Sequence, residues 1–172
     1  MSLLRLFGKS AANEAAERIL ASVTRAARDP DLFGEGGAPD TLDGRFEMAT
    51  AFAVLALMRL KASPEADRVS QAFADKLFRH FDAGLRESGV GDLSVARRMK
   101  GLAGAFYGRL SAYQAAIDSE SDFAAALGRN IWNDPGAPPA GALSQRLRAL
   151  RAAQAAAPPQ ALEDGSRWIV MP

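Results

Sequence analysis

Apolar residues recur along most of this chain at spacings of three and four, the period of a helix with one buried face. Ala16, Ile19, Leu20, Val23 and Ala27 form the first such stripe. Its helix is expected to start at Ser10 or Asn13, where a polar side chain can cap free N–H groups, and to end near Arg28, before Asp29-Pro30. The run RFEMATAFAVLALMRLK differs in being apolar on nearly every side. A helix of that kind belongs inside a ring of others, so this second helix, beginning near Thr41 or Asp43, is predicted to form the centre of the core. Ser63-Pro64-Glu65 supplies an N-cap, a proline for the first turn and a carboxylate at the positive dipole end of a third helix reaching about Glu87. Val69, Phe73, Leu77, Phe78, Phe81 and Leu85 give that helix an aromatic-rich buried face.

A fourth helix is predicted from about Leu93 to Ile117, after a tight turn at Ser88-Gly89-Val90-Gly91-Asp92. A fifth starts at the capping-box-like Ser119-Glu120-Ser121-Asp122 and stops at Asn133-Asp134-Pro135-Gly136. The sixth, from about Gly141 to Ala157, puts Leu143, Leu147 and Leu150 on one side and ends at Pro158-Pro159. The glycines and prolines of DLFGEGGAPDTLDGRF make an irregular loop after the first helix, and DGSRWIVMP reads as an extended tail in which Trp168 docks on the helices. The expected architecture is an all-α, single-domain bundle of about six helices. Residues 1–9 form an N-terminal segment, 10–132 the main helical body, 133–157 a last helix with its loop packed on that body, and 158–172 the extended tail.

Composition narrows the function classes. At 172 residues the chain is long enough for one domain with a real core. Twenty-one lysines and arginines against 20 acids leave no overall pull toward DNA or an anionic membrane, so any basic site must be local. There is no cysteine, and His80 is the single histidine, which excludes thiolate and polyhistidine metal sites. The longest apolar run, Met48 to Met58, falls short of the roughly 20 residues a membrane span needs. The apolar patch before Gly8 is too short for a secretory signal, though Leu3, Leu4, Leu6 and Phe7 suit a peripheral membrane contact. The expected location is the cytoplasm, with the inner face of the cytoplasmic membrane as the place for such a contact. No phosphate loop or metal-ligand spacing is present, so neither an enzyme nor a cofactor is expected, and no catalytic residue is assigned.

The fourth helix carries two stripes. Val95, Met99, Leu102, Phe106, Leu110 and Tyr113 make an apolar face, and Arg97, Gly101, Gly104 and Gly108 share another. Each interior glycine costs about 0.5 to 1 kcal/mol against alanine, which calls for a reason. Close approach of an internal helix, an open groove for an apolar helix of a client protein, and simple tolerance each supply one. Arg97, Arg98, Lys100 and Arg109 form a local basic cluster around the stripe. On the groove reading the client-binding set is Arg97, Arg98, Gly101, Gly104, Gly108 and Arg109.

Leu85-Arg86-Glu87-Ser88-Gly89-Val90-Gly91-Asp92, then Met99-Lys100, then Ala105-Phe106-Tyr107-Gly108-Arg109 with Tyr113 downstream, resembles the signature of the ubiquinol-cytochrome c chaperone family. The upstream block from Gly36 through Asp40, Thr41, Leu42, Asp43, Gly44 and Arg45 to Glu47 agrees, as does Phe78-Arg79-His80-Phe81-Asp82. Ala38 and Phe33 depart from the valine and tyrosine common there. The resemblance spans about Ala16 to Ile117 and implies a non-enzymatic assembly chaperone. Its client would be cytochrome b or another subunit of the cytochrome bc1 complex, with a partner subunit or the ribosome as further contacts. Most motif residues also have structural readings. Asp40 and Asp43 serve as loop and cap acceptors, Gly89 and Gly91 permit a left-handed or tight turn, Asp92 caps the fourth helix, and Glu87 pairs with a nearby arginine. Arg45 either fixes the loop by bonding its carbonyls or faces a client, and Tyr107 and Tyr113 are candidates for hydrogen bonds across the helix interface. A haem-ligand role for His80 lacks any paired ligand.

Overall fold

The computed structural model describes residues 3–164 and Trp168, with the side chains of residues 3–9 and 93 left aside. Six helices make up the body: α1 (Leu3–Ala27), α2 (Leu42–Lys61), α3 (Asp67–Glu87), α4 (Asp92–Ala116), α5 (Glu120–Ile131) and α6 (Pro138–Ala155). Short 3₁₀ turns at Pro30–Leu32, Pro64–Ala66 and Pro159–Glu163 join or follow them. Among the described residues there is no strand, only an isolated bridge between Phe33 and Ala38. The all-α bundle expected from periodicity is therefore what forms.

Helix α2 sits at its centre. Residues Ala51 through Leu57 are buried without interruption, and α1, α3, α4, α5 and α6 all pack against α2. Each large side chain so buried contributes about 1.5 to 3 kcal/mol, which is the driving force for wrapping the other helices around it. The α3 stripe delivers Phe73, Leu77, Phe81 and Leu85 to the core, and α4 delivers Val95, Phe106, Leu110 and Tyr113. From α6 come Leu143, Leu147 and Leu150.

Several helix ends differ from expectation. Helix α1 is already helical at Leu3, ahead of Ser10, whose hydroxyl bonds the Glu14 carboxylate along the helix instead of capping it. Helix α2 is capped by Thr41, whose hydroxyl accepts the Gly44 N–H at 3.1 Å, so Asp43 lies in the first turn and caps nothing. Ser63 makes no side-chain cap, because its hydroxyl accepts from Arg59 at 2.8 Å, and α3 proper begins at Asp67 after a 3₁₀ turn. Arg59 also donates to the Gln154 and Ala157 carbonyls, satisfying the last turn of α6. At α4 the N-cap is Gly91, and the Asp92 carboxylate pairs with Arg86. Arg86 also bonds Asp82 at 2.7 Å, while Glu87 is left without an ion pair. Gly89 has φ +80°, the left-handed conformation expected, whereas Gly91 is extended at φ −63°. Ser119 caps α5 as expected, and α6 starts at Pro138, earlier than Gly141.

The loop after α1 is irregular but tied down. Trp132 Nε1 donates to the Gly37 carbonyl at 3.0 Å, Arg146 bonds Asp29 at 2.9 Å, and Arg45 bonds Asp40 at 2.6 Å while lying over the Phe33 ring. In the tail, Pro159–Glu163 is a 3₁₀ turn rather than extended chain. Trp168 is buried against Phe52 with its Nε1 donating to the Leu162 carbonyl at 3.0 Å; the rest of the expected extended segment lies outside the described residues.

The loop also explains why glycine stands at 44. A Cβ there would lie 2.0 Å from the Pro39 carbonyl oxygen, an approach that only backbone movement relieves. Gly44→Ala is expected to destabilise the protein by about 1 to 3 kcal/mol, read as a lower denaturant midpoint at unchanged slope.

Candidate binding cleft

The second half of α3 and the first half of α4 diverge over the start of α2, leaving a cleft of about 880 Å³ that also reaches the ends of α1 and α5. Phe46, Phe81, Leu85, Leu102 and Ile131 line its apolar part. Phe46 and Phe81 meet edge to face with centroids 5.0 Å apart, which fixes the wall where α2 passes α3. On α4 the cleft is lined by Arg98, Leu102, Ala105 and Arg109, a single face at helical spacing, with Gly101 at its edge.

One ion pair lies in this apolar wall. Glu47, from α2, and Arg109, from α4, both line the cleft and are bound through two parallel N–H to oxygen bonds, Nε to Oε2 and Nη2 to Oε1. The Glu47 side chain is 9% exposed and that of Arg109 19%. Arg109 Nη1 donates in addition to the Ala105 carbonyl at 3.1 Å, and the guanidinium carbon sits 5.9 Å from the centre of the Phe46 ring. Burial pushes the Glu47 carboxyl above its ordinary range against the opposing pull of Arg109. Behind the pair, burial, and then the Glu47 charge, push the Tyr113 phenol up. No hydrogen bond of ordinary geometry reaches the Tyr113 hydroxyl, and Tyr107 is 55% exposed against Phe78, so neither tyrosine bridges helices as expected.

The expected client-binding residues divide in two. Arg98, Gly101 and Arg109 line the cleft; Arg97, Gly104 and Gly108 sit one step round α4, facing away from it. A Cβ on Gly101, Gly104 or Gly108 would meet nothing within 4 Å, so no internal helix packs on the glycine stripe. Of the basic cluster, only Arg109 is paired. His80 borders the cleft half-buried, where desolvation and then the nearby Arg28 hold its imidazole below the usual range, and Glu87 opposes them. No group of three or more potential metal ligands exists among the described residues. Glu47 itself escaped the sequence reading as a site residue. The available signal was an acid isolated inside the most apolar helix, which demands a cation from elsewhere in the chain.

Comparison with known proteins bears directly on this arrangement. The family model of ubiquinol-cytochrome C chaperones matches residues 35–168, which include the loop, the cleft and the buried Trp168. The chain belongs to this family. A crystal structure of the Cbp3 homolog from Brucella abortus is similar over 95% of this chain and 94% of that one, at 38% identity and a TM-score of 0.80. No curated protein matches the chain. Membership in the chaperone family directs attention to the cleft as a surface for polypeptide, and its balanced lining of apolar walls and paired charge is not the convergent acid–base set of a catalytic centre.

Since no atom of the protein fills the space beside the α4 glycines, Gly104→Ala and Gly108→Ala are each expected to raise stability by about 0.5 to 1 kcal/mol through helix propensity. Thermal denaturation of the two variants checks this, and a fall in stability would show that another part of the chain needs that space.

Proposed function

We propose that the protein is a non-enzymatic assembly chaperone that shields an apolar helix of a respiratory membrane subunit during biogenesis of the cytochrome bc1 complex, with cytochrome b as the client. The observation that carries this reading is the open cleft in a chain of the ubiquinol-cytochrome c chaperone family. Its apolar walls on α2, α3 and α4 supply the burial that holds an apolar helix, and Arg28 and Arg98 offer charge at the margin for register. Binding would take place where clients emerge, at the inner face of the cytoplasmic membrane. No helix among the described residues is long and apolar enough to cross the membrane itself.

A second contact is favoured by Arg97, Arg98 and Lys100, which are exposed and without acidic partners on the outer part of α4. That patch suits docking on ribosomal RNA near emerging membrane proteins, as an accessory to client binding. Such a contact weakens steeply with salt through counterion release, and salt-insensitive or absent ribosome co-sedimentation would exclude it.

Deleting the gene is expected to lower assembled cytochrome bc1 while leaving its transcripts unchanged; normal bc1 content in the deletion strain would overturn the assignment. A photoreactive side chain at Leu102, inside the cleft, is expected to capture cytochrome b, and one at Gly108, outside it, to capture far less. Equal capture from both positions would move the client to another surface.

A further inference from the structure

The Glu47–Arg109 pair stands where packing alone does not call for charge. Its surroundings are Phe46, Leu102 and Ala105, and replacing a buried pair by apolar side chains is often neutral or stabilising. Joining α2 to α4 is also not a task left to it, since Phe106, Leu110 and Tyr113 of α4 already lie in the common core with α2. What the pair adds is a set of hydrogen-bond donors in an apolar cleft. A guanidinium carries five N–H bonds. Three of those on Arg109 are engaged, two by Glu47 and one by the Ala105 carbonyl, which leaves two without an acceptor.

The sign of the local charge selects what those donors accept. Both oxygens of Glu47 are bound to the guanidinium, so the pair as a whole is neutral. An incoming carboxylate would share one cation with Glu47 and be repelled by it; a neutral carbonyl oxygen would not. The apolar walls exclude water from the contact, which strengthens a correct match and penalises an absent one. We propose that Arg109, oriented by Glu47, is the specificity-determining residue of the cleft and binds the side-chain carbonyl of an asparagine or glutamine on an otherwise apolar client helix. The proposal rests on the reading of the cleft as a groove for such a helix. Polar side chains within membrane helices are few and functional, so reading one of them distinguishes a client from the many helices that are merely apolar.

Three synthetic Leu/Ala helices of about five turns, made soluble by an uncharged polyethylene glycol tail, test this by fluorescence anisotropy with the full chain. They differ only at the central residue, which is Leu, Gln or Glu. The wild type is expected to bind the Gln helix at least about tenfold more tightly than the Leu or Glu helix. Arg109→Lys retains the charge but not the planar fork, and is expected to erase the preference for Gln while still binding the Leu helix. Glu47→Gln frees the cation and is expected to transfer the preference to the Glu helix, an inversion that a purely structural pair would not produce. Equal wild-type binding of the Gln and Leu helices overturns the proposal, as does an unchanged preference in both variants. If the wild type binds none of the three, the cleft reading falls too, and the proposal with it.

Discussion

A helix that is apolar on every side has no stable place at a surface, and the fold is organised around that constraint on α2. With Ala51 to Leu57 continuously buried, five other helices are required to cover one. They accomplish this along most of its length, and α1, α3, α4, α5 and α6 owe their relative positions to it. At the N-terminal end of α2 the coverage gives way. There Thr41 caps the helix, Gly44 lets the Pro39 carbonyl approach, and Glu47 appears as the first acid buried in the bundle. The cleft lies at this end because α3 and α4 separate where α2 stops being uniformly apolar.

That geometry gives the family's sequence blocks a common physical meaning. The loop block around Asp40 to Glu47 and the α4 block containing Phe106 to Arg109 are distant in sequence but meet at the Glu47–Arg109 pair. Phe46 packs on Phe81 of α3, and Phe106 packs on Phe78, so the α3 block joins the same junction. Tying the loop to the bundle are Trp132 and Arg146, contributed by the half of the chain beyond the motif residues. A chaperone needs a surface that holds apolar polypeptide without collapsing on itself. A cleft bounded by edge-to-face aromatics and fixed by one neutral, fully directed ion pair meets that need, since rigid walls lose little freedom when a helix binds.

The outer side of α4 presents a different problem, a helix weakened by glycines that no part of the chain packs against. Beside them Tyr107 is exposed and Arg97 and Lys100 are unpaired. Within the monomer, nothing compensates for the lost helix propensity. The stripe therefore cannot be understood as a core device, although its spacing is the same as that of small residues at helix contacts.

Periodicity by itself determined the all-helical class, the number of helices, the buried faces of α3 and α6 and the central position of α2. Each of these depends on which side of a helix is apolar, a property written locally at spacings of three and four. The motif blocks, read in order, also gave the family. Tertiary structure alone decided which partner each polar group would find. Thr41 rather than Asp43 caps α2, Asp92 turns to Arg86 rather than to its own helix, and Arg109 leaves the basic cluster to meet Glu47. It also decided that Gly104 and Gly108 face solvent, one step round α4 from the cleft. A stripe fixes a direction on a helix, but whether another helix lies in that direction depends on how all six divide the surface of α2, and no local spacing contains that.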